Sequence, residues 1–258
     1  NLRGQVIPVF DLPAIVGCKP ETGLNILLVT EYARTAQAFA VESVEDIARL
    51  DWTNVVPAES SGSVKSLVTS FARMKDEATG EQRLAQVLDV EAIVNMVTPE
   101  KERPSVAGKN IGAKVKMKSN SIVLAADDSF VARALIEQTL KELEAPFEIV
   151  KSGKEAWDRL NALADQAASE GGSVYEKVGM VLTDLEMPEM DGFTLTSQIK
   201  KSSRLSQLPV LIHSSLSGTT NEDLVQKVGA NGYVSKFQPA ELAYAIREAL
   251  AKNPMMAE

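Results

Sequence analysis

The 258-residue chain has one cysteine, Cys18, and one histidine, His213. A lone thiol forms no intrachain disulfide and no cysteine metal cluster, which fits a reducing compartment and leaves Cys18 a small surface or part-buried residue. A lone imidazole rules out a Ser-His-Asp array and a multi-histidine metal centre, so an inert packing role is the plain reading of His213. Long apolar runs are missing too. No stretch approaches the roughly 20 uninterrupted apolar residues of a membrane helix, and the start lacks a basic region followed by an apolar run. Positive charge is also in deficit: the formal net charge is −8, which repels phosphate backbones and provides no broad basic face for nucleic acid. These absences predict a cytoplasmic protein with no nucleic-acid partner and no direct membrane insertion. The chain opens at Asn1 and runs straight into the apolar segment Gln5–Phe10, so a preceding N-terminal piece is expected.

Length and a hydrophobic content of 45% are enough for two packed domains. Over the first 97 residues short β-type runs occur at Gln5–Phe10, Asn25–Tyr32, Ala36–Leu50, Val64–Met74 and Arg83–Leu88, separated by turn residues such as Lys19-Pro20 and Ser60-Ser-Gly62. This half reads as all-β, a small barrel or sandwich. Residues 99–119 change character, with Pro99, Pro104, Gly108, Gly112 and six basic residues but no apolar period, and read as a solvated linker.

From residue 120 to 252 the pattern alternates. Ile122–Ala126 reads as a buried strand, and Val131, Leu135, Ile136, Leu140 and Leu143 then recur at helical spacing. Further strands are expected at Phe147–Val150, Met180–Thr183, Val210–Ile212 and Gly232–Ser235. Helices are expected around Ala156–Leu163, Phe193–Ile199, Glu222–Val228 and Ala240–Ala251, with a long polar insertion over Ala164–Gly179. Five strand–helix units predict a five-stranded parallel sheet covered on both faces.

In such sheets, polar side chains just past the C-terminal strand ends share one crevice. Those ends carry Asp127-Asp128, Asp184, His213-Ser214-Ser215 and Lys236. Taken singly, Asp128 or Ser129 could cap the next helix, Asp184 could be a turn residue and Lys236 a surface lysine. Together they are the set that one phosphoryl site requires. Crowded carboxylates raise one another's pKa, and a divalent cation relieves the conflict, with oxygen-only ligands suiting Mg²⁺. The carboxylate of Asp184 could then attack a phosphoryl donor in line, with Lys236 and the Ser214 hydroxyl at the phosphoryl oxygens.

At these residues a resemblance becomes specific. Asp127-Asp128, Asp184-Leu-Glu-Met-Pro-Glu-Met-Asp-Gly192, Leu208-Pro-Val-Leu-Ile-His-Ser214 and Tyr233-Val-Ser-Lys236 resemble response-regulator receivers, which have a flavodoxin-like fold. The resemblance implies phosphorylation at Asp184, Mg²⁺ held by Asp127, Asp128, Asp184 and the backbone carbonyl of Glu186, phosphoryl contact by Lys236, and a switch pair of Ser214 and Tyr233. Two features depart from that pattern: Phe237 follows Lys236 where the family usually has proline, and the insertion before the third strand is long.

The segment Asn1–Leu12 resembles the signature of CheW-like coupling domains, two-lobed β folds with SH3-like barrel lobes, here incomplete at the N-terminus and covering 1–98. A CheW-like module followed by a receiver is the order found in the CheV family of chemotaxis adaptors. That implies binding to chemoreceptors and to the histidine kinase CheA, with Arg3 as an interface residue, location at receptor arrays and no enzymatic turnover beyond the receiver's own phosphorylation and dephosphorylation. A second version makes the receiver a phosphate sink for the kinase. A rival of another class is an aspartate-nucleophile phosphatase of the haloacid dehalogenase type, which expects an aspartate where Glu186 stands.

Overall fold

The computed structural model describes residues 4, 6–32, 35–48, 50–51, 54–58, 67–75, 80–99, 103, 106, 111–215, 225, 227–236 and 238–253. In the N-terminal half, β1 (Val9–Asp11), β2 (Ile26–Tyr32) and β3 (Thr35–Val41) form a sheet in the order β1-β3-β2. Within it β1 runs parallel to β3 and β2 antiparallel to it. A second sheet, antiparallel throughout, joins β4 (Val55–Pro57), β5 (Val68–Lys75) and β6 (Gln82–Leu88).

Two helices depart from the all-β expectation, α1 (Leu12–Val16) and α2 (Val90–Val97). Each follows an aspartate that caps it: Asp11 accepts from the Ala14 N–H at 2.9 Å, and Asp89 from the Ala92 N–H at 2.8 Å. Val90-Glu-Ala-Ile-Val-Asn-Met-Val97 is rich in β-branched residues and reads as strand on propensity alone. The cap and the burial of Ile93 and Val94 decide for helix. The run expected to extend to Leu50 ends as strand at Val41, and among the described residues of the run at Gln5–Phe10 strand begins at Val9.

The C-terminal half is the parallel sheet that the alternation predicts. β7 (Ile122–Ala126), β8 (Phe147–Val150), β9 (Val178–Thr183), β10 (Val210–Ser214) and β11 (Gly232–Ser235) stand in the order β11-β10-β9-β7-β8, every pairing parallel. Helices α3 (Phe130–Glu142), α4 (Gly153–Ser169), α5 (Val174–Lys177), α6 (Gly192–Lys201) and α7 (Pro239–Leu250) connect and cover it. Alternation along the central strands sorts two cores. Val123, Ala125, Met180 and Leu182 pack with Leu135, Ile136 and Leu140 of α3 and Leu242, Ala243 and Ile246 of α7. Leu124, Ala126 and Val181 face Ala156, Leu160 and Leu163 of α4 and Leu195 and Ile199 of α6. Covered on both sides, these strands must be apolar throughout.

Two local expectations change. The polar insertion over 164–179 is ordered structure, since α4 runs on to Ser169 and the single turn of α5 closes with a Ser173–Glu176 capping box. Described residues of the segment read as a solvated tether instead touch the receiver: Val106 and Ile111 are buried in a cluster with its core residues, and Arg247 donates to the carbonyls of Ile111 and Ala113. The helix expected at Glu222–Val228 falls largely outside the described residues.

Candidate functional site

Parallel pairing puts the strand ends side by side. Ala126 is in register with Thr183, and the Asp184 N–H donates to the Ala126 carbonyl at 2.9 Å. On the neighbouring pair, the Lys236 N–H donates to the Ser214 carbonyl at 2.9 Å. Asp127, Asp128 and Asp184 therefore converge, each offering a carboxylate oxygen within 4.8 Å of the others. Lys236 reaches in from the end of β11, and its ammonium lies 2.8 Å from Asp184 Oδ2 and 3.0 Å from Asp127 Oδ2. The second is an ion pair by distance without hydrogen-bond geometry, because Asp127 Oδ2 has no hydrogen-bond partner. The plain reading of Lys236 as a surface lysine is excluded, since its side chain is 1% exposed.

Backbone groups fix the acids. The Ser129 N–H donates to Asp127 Oδ1 at 2.9 Å, and the Leu185 N–H to Asp184 Oδ1 at 2.6 Å. Arg133, one turn into α3, donates to the carbonyls of Asp127 and Asp128 at 2.8 and 2.6 Å and so clamps the turn that carries both. The loop after Asp184 folds back on itself at Gly192, whose N–H donates to the Leu185 carbonyl at 2.9 Å. Ser129, read from sequence as a candidate cap, does cap α3.

The electrostatics are those of an acid cluster short of one cation. Burial, then repulsion from Asp184, raises Asp128 to about 7. Burial raises Asp184 to about 6 against the opposing pull of Lys236. Asp127 is pushed well above the usual carboxylate range, again chiefly by burial. For Lys236, burial alone would lower the ammonium, but the charges of Asp127, Asp184 and Glu91 outweigh it and the net direction is up. A hard divalent cation fits: the donors are all oxygen, they converge, and Asp127 Oδ2 is buried without a hydrogen bond.

Ser214 ends β10, buried, and Tyr233 lies on adjacent β11, where Ile212 is in register with Tyr233 and Ser214 with Ser235. The two are thus on one face of the sheet, two positions apart. Tyr233 packs, half-buried, in a small cluster with Leu185 and Ile212. Glu186, two residues past Asp184, is exposed. His213 is wholly buried in β10, and burial followed by the nearby Lys236 charge holds it neutral, well below its ordinary pKa. Arg3 lies outside the described residues. Sequence reading missed Arg133 and Glu91. Glu91 Oε1 accepts from Lys236 at 2.9 Å across 145 residues of chain, a pairing that no local pattern announces.

A doubly wound parallel sheet with three carboxylates and a buried lysine at its carboxyl edge defines a response-regulator receiver. Comparison with known proteins agrees: residues 123–247 match the response regulator receiver domain and residues 1–98 the CheW-like domain. The chain is 27% identical to the chemotaxis protein CheV2 of Helicobacter pylori, over 97% of this chain and 79% of that protein. It is likewise 27% identical to CheV3 of the same organism, over 98% of this chain and 79% of that one. The two-component response regulator ORR5 of rice is 35% identical over 47% of this chain and 82% of its own length. Among solved structures, the receiver domain of the histidine kinase CKI1 from Arabidopsis thaliana, complexed with Mg²⁺, aligns at 27% identity with a TM-score of 0.46, covering 52% of this chain and 95% of that one. The chain belongs to the CheV-type family, in which a CheW-like domain is joined to a response-regulator receiver. Among the described residues no helix is long and apolar enough to cross a membrane.

Proposed function

We propose that this chain is a chemotaxis adaptor: its CheW-like part, taken as 1–98, couples chemoreceptors to the histidine kinase CheA, and its receiver, taken as 120–252 after the linker at 99–119, is switched by phosphorylation of Asp184. The observation that carries this reading is the meeting of Asp127, Asp128 and Asp184 with the Lys236 ammonium at 2.8 Å from the Asp184 carboxylate. In the reaction an oxygen of Asp184 forms a bond to phosphorus as the donor's bond to phosphorus breaks. The electron pair leaves with the donor group, a carboxylate for an acyl phosphate or an imidazole nitrogen for a phosphohistidine.

Mg²⁺, held by Asp127, Asp128, Asp184 and the Glu186 carbonyl, supplies charge neutralisation when bound. Lys236 holds the phosphoryl oxygens by charge, and the Ser214 hydroxyl donates to one of them. As Ser214 turns toward the new group, Tyr233 repacks behind it on the same sheet face, a two-state change biased by added charge. Arg3 belongs to the partner-binding surface, and the site of action is the receptor array in the cytoplasm.

Incubation of the full chain with Mg²⁺ and acetyl phosphate, followed by intact mass measurement, tests the site. Wild type should gain one phosphoryl group and Asp184→Asn none; equal labelling of both would remove the assignment. A pull-down with receptor and kinase tests the coupling, and binding to neither would remove it. Persistence of the aspartyl phosphate separates a switch from a phosphate sink, which needs fast hydrolysis.

A further inference from the structure

A phosphodonor must reach Asp184, yet that side chain is only 7% exposed. Part of what closes the pocket comes from the other half of the chain. Helix α2, which follows the last strand of the CheW-like domain, packs against α3 of the receiver, and Ile93 and Val94 share a buried cluster with Leu135, Ile136 and Leu140. The N-termini of the two helices are tied together, since the Ser129 hydroxyl that caps α3 lies 3.4 Å from the Asp89 carboxylate that caps α2. From this first turn Glu91 reaches Lys236 at 2.9 Å, while its second oxygen, Oε2, is buried without a hydrogen-bond partner.

An ammonium has three donors. Lys236 donates to Asp184 at 2.8 Å and to Glu91 at 2.9 Å, and Asp127 Oδ2 crowds the same ammonium at 3.0 Å without hydrogen-bond geometry. The ammonium, 1% exposed, is thus enclosed by three carboxylates, and a phosphoryl oxygen gains a place beside it by displacing one of them. Asp184 is the acceptor and Asp127 stands at the end of the receiver's own first strand, so both stay. Glu91 belongs to another domain and keeps a buried, unsatisfied oxygen, which makes it the partner that leaves at least cost.

We infer that Glu91 is a built-in plug of the phosphoacceptor pocket: it holds the place at Lys236 that a phosphoryl oxygen must take, so that docking of α2 and phosphorylation of Asp184 exclude one another. Phosphorylation then releases α2 and frees the CheW-like domain from the receiver. The inference rests on Asp184 being the acceptor. Coupling of this kind is reciprocal, so the docked helix opposes phosphoryl acceptance as strongly as the phosphoryl group opposes docking.

The test uses the full chain carrying Cys18→Ser, with dyes attached through Leu84→Cys on β6 and Lys154→Cys on α4, both exposed positions. Adding Mg²⁺ and acetyl phosphate should change the inter-dye distance in this protein and leave it constant when Asp184→Asn is added. Glu91→Gln and Glu91→Ala should each label at Asp184 several-fold faster than wild type. A constant distance, or wild-type labelling rates in both Glu91 variants, with Asp184 labelled, overturns the inference alone. Absence of label from wild type, or equal label in Asp184→Asn, overturns the acceptor reading and this inference with it.

Discussion

Gly192 lies so close to Asp184 that a Cβ built on it would stand 2.0 Å from the Asp184 carbonyl oxygen and 3.1 Å from the Leu185 Cα. Both obstacles are backbone, so no side-chain rotation relieves the clash. The Asp-Gly pair at 191–192 serves two needs here: Asp191 caps α6 by accepting from the Thr194 N–H, and the bare Gly192 lets the loop close over the strand end. Gly192→Ala should cost about 1 to 3 kcal/mol in denaturant unfolding, the range for forced overpacking and backbone shift. It should also slow Asp184 labelling, because the carbonyl it pushes belongs to the acceptor residue. Wild-type stability in Gly192→Ala would show that the loop opens freely.

Lys236→Met removes the one cation from a buried group containing Asp127, Asp184 and Glu91. Breaking a buried charge pair on one side typically costs about 3 to 5 kcal/mol. The loss should approach that range near pH 8, where Asp184, raised to about 6, is ionised, and shrink near pH 5.5, where Asp184 takes up a proton instead. Mg²⁺ should recover part of the loss at the higher pH. An equal loss at both values would mean that the lysine matters through packing rather than charge.

The raised carboxyls also predict how stability varies with pH in the metal-free chain. Asp184 at about 6 and Asp128 at about 7 lie above the 3.8 of an unexceptional aspartate, so over that interval the folded chain holds protons that the unfolded chain has lost. Their contribution is complete below the unfolded value and disappears as pH rises through 6 to 7. His213 acts in the opposite sense, because an imidazole buried neutral must stay uncharged while its unfolded counterpart, at 6.5, protonates on acidification. Metal-free stability should therefore decline by on the order of 1 kcal/mol per pH unit between about pH 4 and pH 6, where the two aspartates outweigh His213, and level off above about pH 7. Saturating Mg²⁺ should flatten that decline. Thermal melts in chelator and in Mg²⁺ across this range check it, and a flat metal-free profile contradicts it.

The receiver was legible because its signals are redundant. Strands such as Val123–Ala126 are buried on both faces and so are apolar without interruption, and four of the five strands end in residue types that one shared crevice explains together. The N-terminal half offered less. The strands at Ile26–Tyr32 and Gln82–Leu88 were found to within a residue, but the run to Leu50 overshot the strand end at Val41, β4 was not anticipated, and α2 was hidden by β-branched residues that favour helix only once Asp89 caps them and Ile93 is buried. Glu91 could not be found at all, since its meaning depends on a contact between two domains, and sequence spacing carries no record of that. The segment 99–119 misled for a related reason: a polar, basic stretch still buries Val106 and Ile111 where a neighbouring surface has room for them.

Arg133 is the other residue that spacing did not disclose, and it makes a separable prediction. Its guanidinium donates to the carbonyls of Asp127 and Asp128 and touches neither carboxylate, so it acts by fixing the turn that aims them. Partners that orient metal ligands in this way typically change affinity by about 10- to 100-fold when removed. Arg133→Ala should therefore shift the Mg²⁺ concentration for half-maximal labelling upward by about tenfold, while labelling at saturating Mg²⁺ stays close to wild type. Arg133→Lys should recover only part of the affinity, because a lysine carries a point charge in place of the planar fork. A change in the maximal rate with no change in Mg²⁺ dependence would place Arg133 in the phosphoryl-transfer step itself rather than behind the ligands.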